Sequence, residues 1–234
     1  MESLDNMDLY WAVRRLPKRL KDVMTAGTFG GKIFVGGGYL RAVVSGEEIN
    51  DVDIFVESKE MAEALIKLLK KDDEKVFSSE NAFTLPGKMA IQIIHRWTFT
   101  TKEQLCHSFD FTICQAAIEY SCLEKKWSSY CHERFYVDLA SKRLVYTSPV
   151  REEEAGGSML RVLKYYQKGY RIPIDSLGDV MARVFAKVRE SDCCPEDYGK
   201  VITGLLREVD PNVDPFHICH LPAQTENINQ EKEI

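Results

Sequence analysis

No apolar run in the 234-residue chain approaches the roughly 18–20 residues needed to cross a bilayer. The opening Met-Glu-Ser-Leu-Asp-Asn-Met-Asp is acidic and carries no apolar signal region, so a soluble, cytoplasmic protein with no membrane partner is expected. Positive charge is not in excess. The 31 Lys and Arg face 36 Asp and Glu for a net charge of −5, so no global basic field draws in nucleic acid, although a local basic patch is compatible with that balance. The seven cysteines are odd in number and scattered, which fits free thiols in a reducing compartment and not a disulfide framework. Internal repeats and low-complexity tracts are lacking, and so is the Gly-Lys-Ser/Thr of a P-loop. A dinucleotide fingerprint fails because Arg41 stands where its third glycine is needed after Gly36 and Gly38.

What is present is a chain with 44% hydrophobic and 29% charged residues, enough to bury a core. Apolar spacing predicts a helix over 8–26, with Pro17 as a kink or late start, and strands at 32–35 and 52–56. A short helix over 39–45 closed by Gly46 and an amphipathic helix over 58–71 are also expected. Further strands are read at 90–94 and 109–113, and a hairpin joins 135–139 to 143–146. Beyond residue 150 the pattern turns helical, at 158–168, 176–190 and 196–208. The expected organisation is α+β: a domain over 1–150, a helical region over 151–222 and a flexible polar tail over 223–234.

The chemistry concentrates between Gly36 and Val56. Asp51 and Asp53 are two apart on a predicted strand, so both leave the same face, roughly 6–7 Å apart by strand rise. Two such carboxylates repel unless a cation sits between them, and all-oxygen donors suit Mg²⁺ or Mn²⁺ better than zinc. Asp110 lies inside the apolar run Phe109 to Cys114, where a buried unpaired charge costs several kcal/mol; a metal site shared with Asp51 and Asp53 accounts for it. The alternative for each acid is an ordinary turn or cap. A strand running into Gly36-Gly37-Gly38 and then a helix offers bare backbone N–H groups to a polyphosphate, and its alternative is a plain tight turn.

The stretch from Gly37 to Asp53 resembles the signature of the DNA polymerase β-like nucleotidyltransferase superfamily, in the branch of CCA-adding enzymes and bacterial poly(A) polymerases. That pattern runs Gly-Gly-x-(Val/Leu)-Arg-Asp, three positions of which two are apolar, Gly-Arg, three residues and Asp-x-Asp; Gly37, Gly38, Leu40, Arg41, Gly46, Asp51 and Asp53 match it without a gap. The resemblance implies a palm of mixed sheet flanked by helices. It also implies that Gly37 and Gly38 hold the NTP phosphates, with Arg41 in the nucleotide site, and that Asp51, Asp53 and Asp110 bind the metal ions. Two positions depart from the pattern: Ala42 replaces an Asp and Glu47 an Arg.

Farther on, Ser158 is expected to cap a helix from Met159 to Lys168, stopped by Gly169. Arg161, Lys164, Tyr165 and Lys168 share one of its faces, and the run to Tyr170 resembles the Arg-x-x-Arg-Phe…Gly-Phe helix that shapes the nucleotide pocket in the same branch. This assigns nucleotide contacts to Arg161 and Lys164, with a solvated basic face as the alternative for Lys164 and Lys168. The implied activity is metal-dependent transfer of an NMP from an NTP to an acceptor hydroxyl, with pyrophosphate released. The acceptor implied is an RNA or tRNA 3′ end. At this length there is no room for the long helical neck, body and tail that grip tRNA in CCA-adding enzymes, so a protein or small-molecule acceptor, or a non-catalytic nucleotide-binding module, stays open. A zinc site from Cys193, Cys194, His217, Cys219 and His220 lacks paired ligand spacing. Cys106-His107 and Cys131-His132 show no orienting partner for a thiol nucleophile and read as packing or surface residues.

Overall fold

A computed structural model describes residues 2–27, 29–147 and 155–207. Pro17 splits the first expected helix in two. The chain runs as α1 (Asn6–Arg15), then an extended Leu16 as sterics before proline demand, then α2 (Lys18–Ala26). Asp5 starts α1 by accepting a hydrogen bond from the Met7 amide at 2.8 Å.

Next come β1 (Ile33–Gly36), α3 (Gly38–Ser45), β2 (Asp51–Val56) and α4 (Lys59–Leu69). Ser58 caps α4 through the Met61 amide, and Gly46 ends α3 in the left-handed region, as its position in the sequence predicts. Three further strands follow, β3 (Phe77–Ser78), β4 (Ala82–Leu85) and β5 (Ala90–Ile94), then α5 (Lys102–His107), β6 (Ala116–Ser121), β7 (Lys126–Cys131) and α6 (Phe135–Ala140). The helical back consists of α7 (Ala155–Gln167), α8 (Ile174–Glu190) and α9 (Tyr198–Arg207).

The seven strands form one sheet in the order β3-β4-β5-β2-β1-β6-β7. Every neighbouring pair is antiparallel except β2 and β5, which run parallel with Asp53 opposite Gln92. Strand alternation divides the core. Ile33, Val35, Val52, Ile54, Ile91 and Ile93 join a large cluster with Leu16, Leu20, Leu40 and Leu65 of α1 to α4. Phe34 and Phe55 point to the other face and meet Leu105 and Cys106 of α5 in a much smaller cluster. Gly36, Asp51, Asp53 and Gln92 share that second, thinly covered face. The register that buries β2 on one side therefore sets its two carboxylates on the open side. No helix among the described residues is long and apolar enough to cross a membrane.

Two expected elements take other forms. Residues 109–113 are not a strand: Asp110 sits in a loop, Phe111 makes one bridge to Tyr146, and Thr112–Cys114 is a single 3₁₀ turn. Side chains fold this segment back on itself, with Gln115 Nε2 donating to the Phe109 carbonyl at 2.8 Å and Thr112 Oγ1 to Asp138 Oδ2 at 2.7 Å. Nor do 135–146 form a hairpin. Phe135, Asp138 and Leu139 are buried at helical spacing, and the fully buried Asp138 binds Arg134, so 135–140 coils as α6. The hairpin lies instead at β6–β7, whose outer strand, Lys-Trp-Ser-Ser-Tyr-Cys, is too polar to announce itself by alternation. The tail over 223–234, the acidic run Glu152 to Glu154 and the end of the 196–208 helix fall outside the described residues.

Candidate active site

The corner between β1 and α3 is shaped by close approach. A Cβ on Gly36 would lie 3.1 Å from Leu105 and 3.2 Å from Phe109, and Gly37 adopts φ +72°. Only glycine takes that turn without strain, and it opens the amide end of α3 toward the open face of the sheet. Asp53 stands beside it, its Oδ2 3.9 Å from where a Gly37 Cβ would be.

Asp51 and Asp53 leave the same face, and Gln92 Nε2 donates to Asp51 Oδ2 at 3.5 Å. Burial first and the neighbouring Asp51 charge second push the Asp53 carboxyl up to about 7, against the pull of Lys164 and Arg161. A half-buried oxygen pair that resists holding two negative charges fits a hard divalent cation. The expected three-acid cluster does not form, however, and among the described residues no three His, Cys, Asp or Glu are grouped to hold a metal. Asp110 has found other partners. It is 5% exposed, and its Oδ2 accepts from Ser158 Oγ at 2.9 Å and from Arg161 Nη1 at 2.7 Å. Ser158 is thus no helix cap: α7 begins at least three residues earlier and carries Ser158 inward.

A cavity of about 140 Å³ lies beside these groups, lined by Gly37, Gly38, Trp97, Asp110, Ser158, Arg161, Tyr165 and Arg183 among others, with Asp51 and Asp53 outside its lining. Arg161 is common to both acidic corners, paired with Asp110 and lowering the Asp53 pKa through its charge. Lys164 acts on Asp53 in the same way from an exposed position on α7 and does not line the cavity.

Arg41 is committed elsewhere. It is 4% exposed, donates from Nη1 to Tyr165 Oη at 2.7 Å, stacks over that ring at 4.9 Å, and reaches Glu47 at 3.2 Å. The guanidinium lies 3.8 Å from where a Gly38 Cβ would be and outside the cavity lining, so the contacts shown for Arg41, where a nucleotide contact is expected, are structural ones. Glu47, where the resembled pattern has Arg, is the hub of this arrangement. Lys142 Nζ and Tyr170 Oη approach it at 3.0 Å and Lys168 Nζ at 3.6 Å. Burial works to raise the Glu47 carboxyl, but the Lys142 hydrogen bond and the Arg41 charge overcome it and hold the group down at about 2.

Sequence reasoning missed Arg183, and Ser158 as a partner of Asp110, and read Trp97 as a core or rim aromatic with base stacking as the alternative. The only signal for the Arg41 ion-pair hub was the substitution of Glu47 for Arg. Cys106 and Cys131 are buried, as packing residues are, and burial pushes the Cys131 thiol up to about 11. His217, Cys219 and His220 lie outside the described residues.

Known structures share this architecture. The CTP complex of a CCA-adding enzyme superposes with a TM-score of 0.61 at 20% identity, covering 89% of this chain and 52% of that one. The Thermotoga maritima CCA-adding enzyme complexed with tRNA gives 0.57 at 20% identity, covering 89% and 51%. The fold is accordingly the polymerase β-like nucleotidyltransferase fold of the CCA-adding enzymes. Among curated proteins, the Gabija anti-defense 2 protein of Bacillus phage SPbetaL7 is 29% identical over 140 residues, 59% of this chain and 34% of that protein. The chain thus spans about a third of that relative's length and about half that of the solved structures. The family model for Gabija anti-defense 2 proteins matches residues 14–142, more than half of the sequence and including the Gly36–Asp53 corner and Asp110. This chain belongs to the Gabija anti-defense 2 family.

Proposed function

We propose that the protein is a metal-dependent nucleotidyltransferase that moves an NMP from an NTP to an acceptor hydroxyl, an RNA 3′ end, and releases pyrophosphate. The observation that carries this reading is the placement of Asp51 and Asp53 on the open face of β2, with Asp53 directly against the glycine turn that begins α3. Asp51 and Asp53 would hold a divalent cation such as Mg²⁺, which would supply charge to offset the phosphates and to lower the hydroxyl pKa. The amides of Gly37 and Gly38 receive phosphate oxygens, and Arg161 and Arg183 supply positive charge from the facing helices. The acceptor oxygen attacks the α-phosphorus in line with departing pyrophosphate, so alignment by these groups provides the rate and no covalent intermediate on the protein is needed.

Nucleotide binding without transfer is a second reading, favoured by the 2.7 Å pair that engages Asp110 with Arg161. Pyrophosphate release from each of the four NTPs in Mg²⁺ or Mn²⁺, offered with single-stranded RNA, separates the two: release that disappears in Asp53→Asn supports transfer, and NTP binding with no release supports the second. Either activity places nucleotide chemistry behind the anti-defense role that the phage relative's name states.

A further inference from the structure

Helix α8 buries Val180, Val184 and Val188 in the protein and carries an apolar stripe on its outer side. There Ile174, Gly178, Met181 and Phe185 recur at steps of four, three and four, the spacing of a coiled-coil seam. Ile174 is 89% exposed, Met181 42% and Phe185 45%, and large apolar side chains so grouped mark an interaction surface. Gly178 sits within the helix, where glycine is weaker than alanine, and a Cβ there would meet no neighbouring atom within 4 Å. Packing among the described residues therefore does not call for glycine; close approach of another helix does. The sequence of α8 is also symmetric in character about Ala182. Asp175 and Arg189 lie seven residues to either side, two turns away and so on one line with Ala182, and Gly178 and Ala186 lie four to either side. All five are exposed. Glu190 is paired with Lys187 at 2.7 Å and Asp175 accepts from the Ser176 amide at 2.9 Å, but among the described residues neither Asp175 nor Arg189 has an ion-pair partner.

We propose that this face of α8 is the contact between two copies of the chain, their α8 helices packed antiparallel about a two-fold axis at Ala182. In such a contact residue i meets residue j and j meets i. Reversing α8 about Ala182 sets Asp175 against the partner's Arg189, Gly178 against the partner's Ala186, and Ala182 against the partner's Ala182. Small residues at the crossing let the helices approach, and Ile174, Met181 and Phe185 supply the apolar area around them. Antiparallel alignment opposes the two helix dipoles, with the acid in the first turn meeting the base in the last. Charge complementarity of the stripe with its own reversal is what selects a second copy over an unrelated partner. Arg183, which lines the active-site cavity, is nine residues from Ile174 and so on the opposite side of α8; the pairing face and the cavity lie on different sides of the helix. The inference does not depend on the transferase reading.

The test is sedimentation of the full chain across micromolar concentrations, where wild-type protein is expected to run as a dimer. Phe185→Glu should weaken association at least roughly tenfold. Gly178→Leu, which improves the helix and fills the space left for the partner, should weaken it as strongly without lowering the melting temperature. Asp175→Arg and Arg189→Asp each set like charges against one another across the contact and should each weaken it about fivefold. An equimolar mixture of these two variants should regain wild-type association, because every crossing pair is then of opposite sign. Melting curves accompany each variant; if Phe185→Glu unfolds, Gly178→Leu and the mixture decide. Wild-type protein that stays monomeric overturns the proposal, and if its Phe185→Glu variant also melts lower, another segment of the same chain covers the face. A dimer that both Phe185→Glu and Gly178→Leu leave intact overturns it too, by placing the contact elsewhere. A mixture that associates no better than its components overturns the antiparallel register.

Discussion

Two neighbouring regions of the site are held in place by different forces. On one side, Gly36, Gly37, Asp51 and Asp53 are positioned by backbone: a strand register, a left-handed turn and the steric fit of Leu105 and Phe109 against a glycine. On the other, Asp110, Glu47 and Arg41 are tied to α7 and its following turn by ion pairs with Arg161 and Lys168 and hydrogen bonds with Tyr165 and Tyr170. A backbone-held side keeps its shape through most side-chain changes. A side-chain-held one depends on the protonation and presence of each partner, and here those partners lie more than a hundred residues apart in several cases.

The largest expected effect falls on the ion-paired side. Glu47→Gln leaves the buried Arg41 guanidinium without its counter-charge and should destabilise the protein by about 3 kcal/mol, read as a lowered urea midpoint with an unchanged slope. The same residue gives a pH signature. Its carboxyl is held at about 2, below the ordinary 4.5, so its contribution is complete above pH 4.5 and is lost as the pH falls toward 2. The wild-type protein should lose stability through that window more steeply than Glu47→Gln. Equal acid profiles would separate Glu47 from the tie to α7.

Next in size is Arg161→Ala, which takes the guanidinium from the buried Asp110 and leaves it the Ser158 hydroxyl; a loss of about 2 kcal/mol is expected. A double-mutant cycle with Asp110→Asn should return a coupling energy of at least 1 kcal/mol. Smallest is Gly37→Ala on the backbone-held side. Positive φ and the Phe109 ring at 3.2 Å predict a loss of about 1–2 kcal/mol, while the ion-paired side stays intact by the criterion of an unchanged acid profile.

The contrast also explains what was legible in the sequence. The glycine–Asp-x-Asp corner is contiguous and periodic, so spacing alone places Asp51 and Asp53 on one face and Gly46 at a helix end. Asp110 was singled out because an acid in an apolar run demands a partner, and the demand was real, but the partner is Arg161 and Ser158 on a helix fifty residues away. The run Phe109–Ile113 has strand composition, yet Gln115 and Thr112 divert it by hydrogen bonds that no alternation pattern encodes. Residues 135–139 alternate loosely, and it is the buried Asp138 that selects helical spacing there. Arg41 matched a nucleotide-site pattern, but Glu47, five residues past Ala42, draws it into the interior. Side-chain hydrogen bonds and charge pairs, which no alternation pattern encodes, decided each difference.

The most direct test of the account follows the label. With an NTP carrying radioactive phosphorus at the α position, Mg²⁺ and single-stranded RNA, wild-type protein should transfer label to the RNA 3′ end in equal amount to the pyrophosphate formed. Asp53→Asn, folded and melting no lower because a repulsive buried charge has been removed, should fall by at least roughly a hundredfold. Transfer by Asp53→Asn at the wild-type rate would contradict the central claim that the β2 carboxylates and the glycine turn form the catalytic centre.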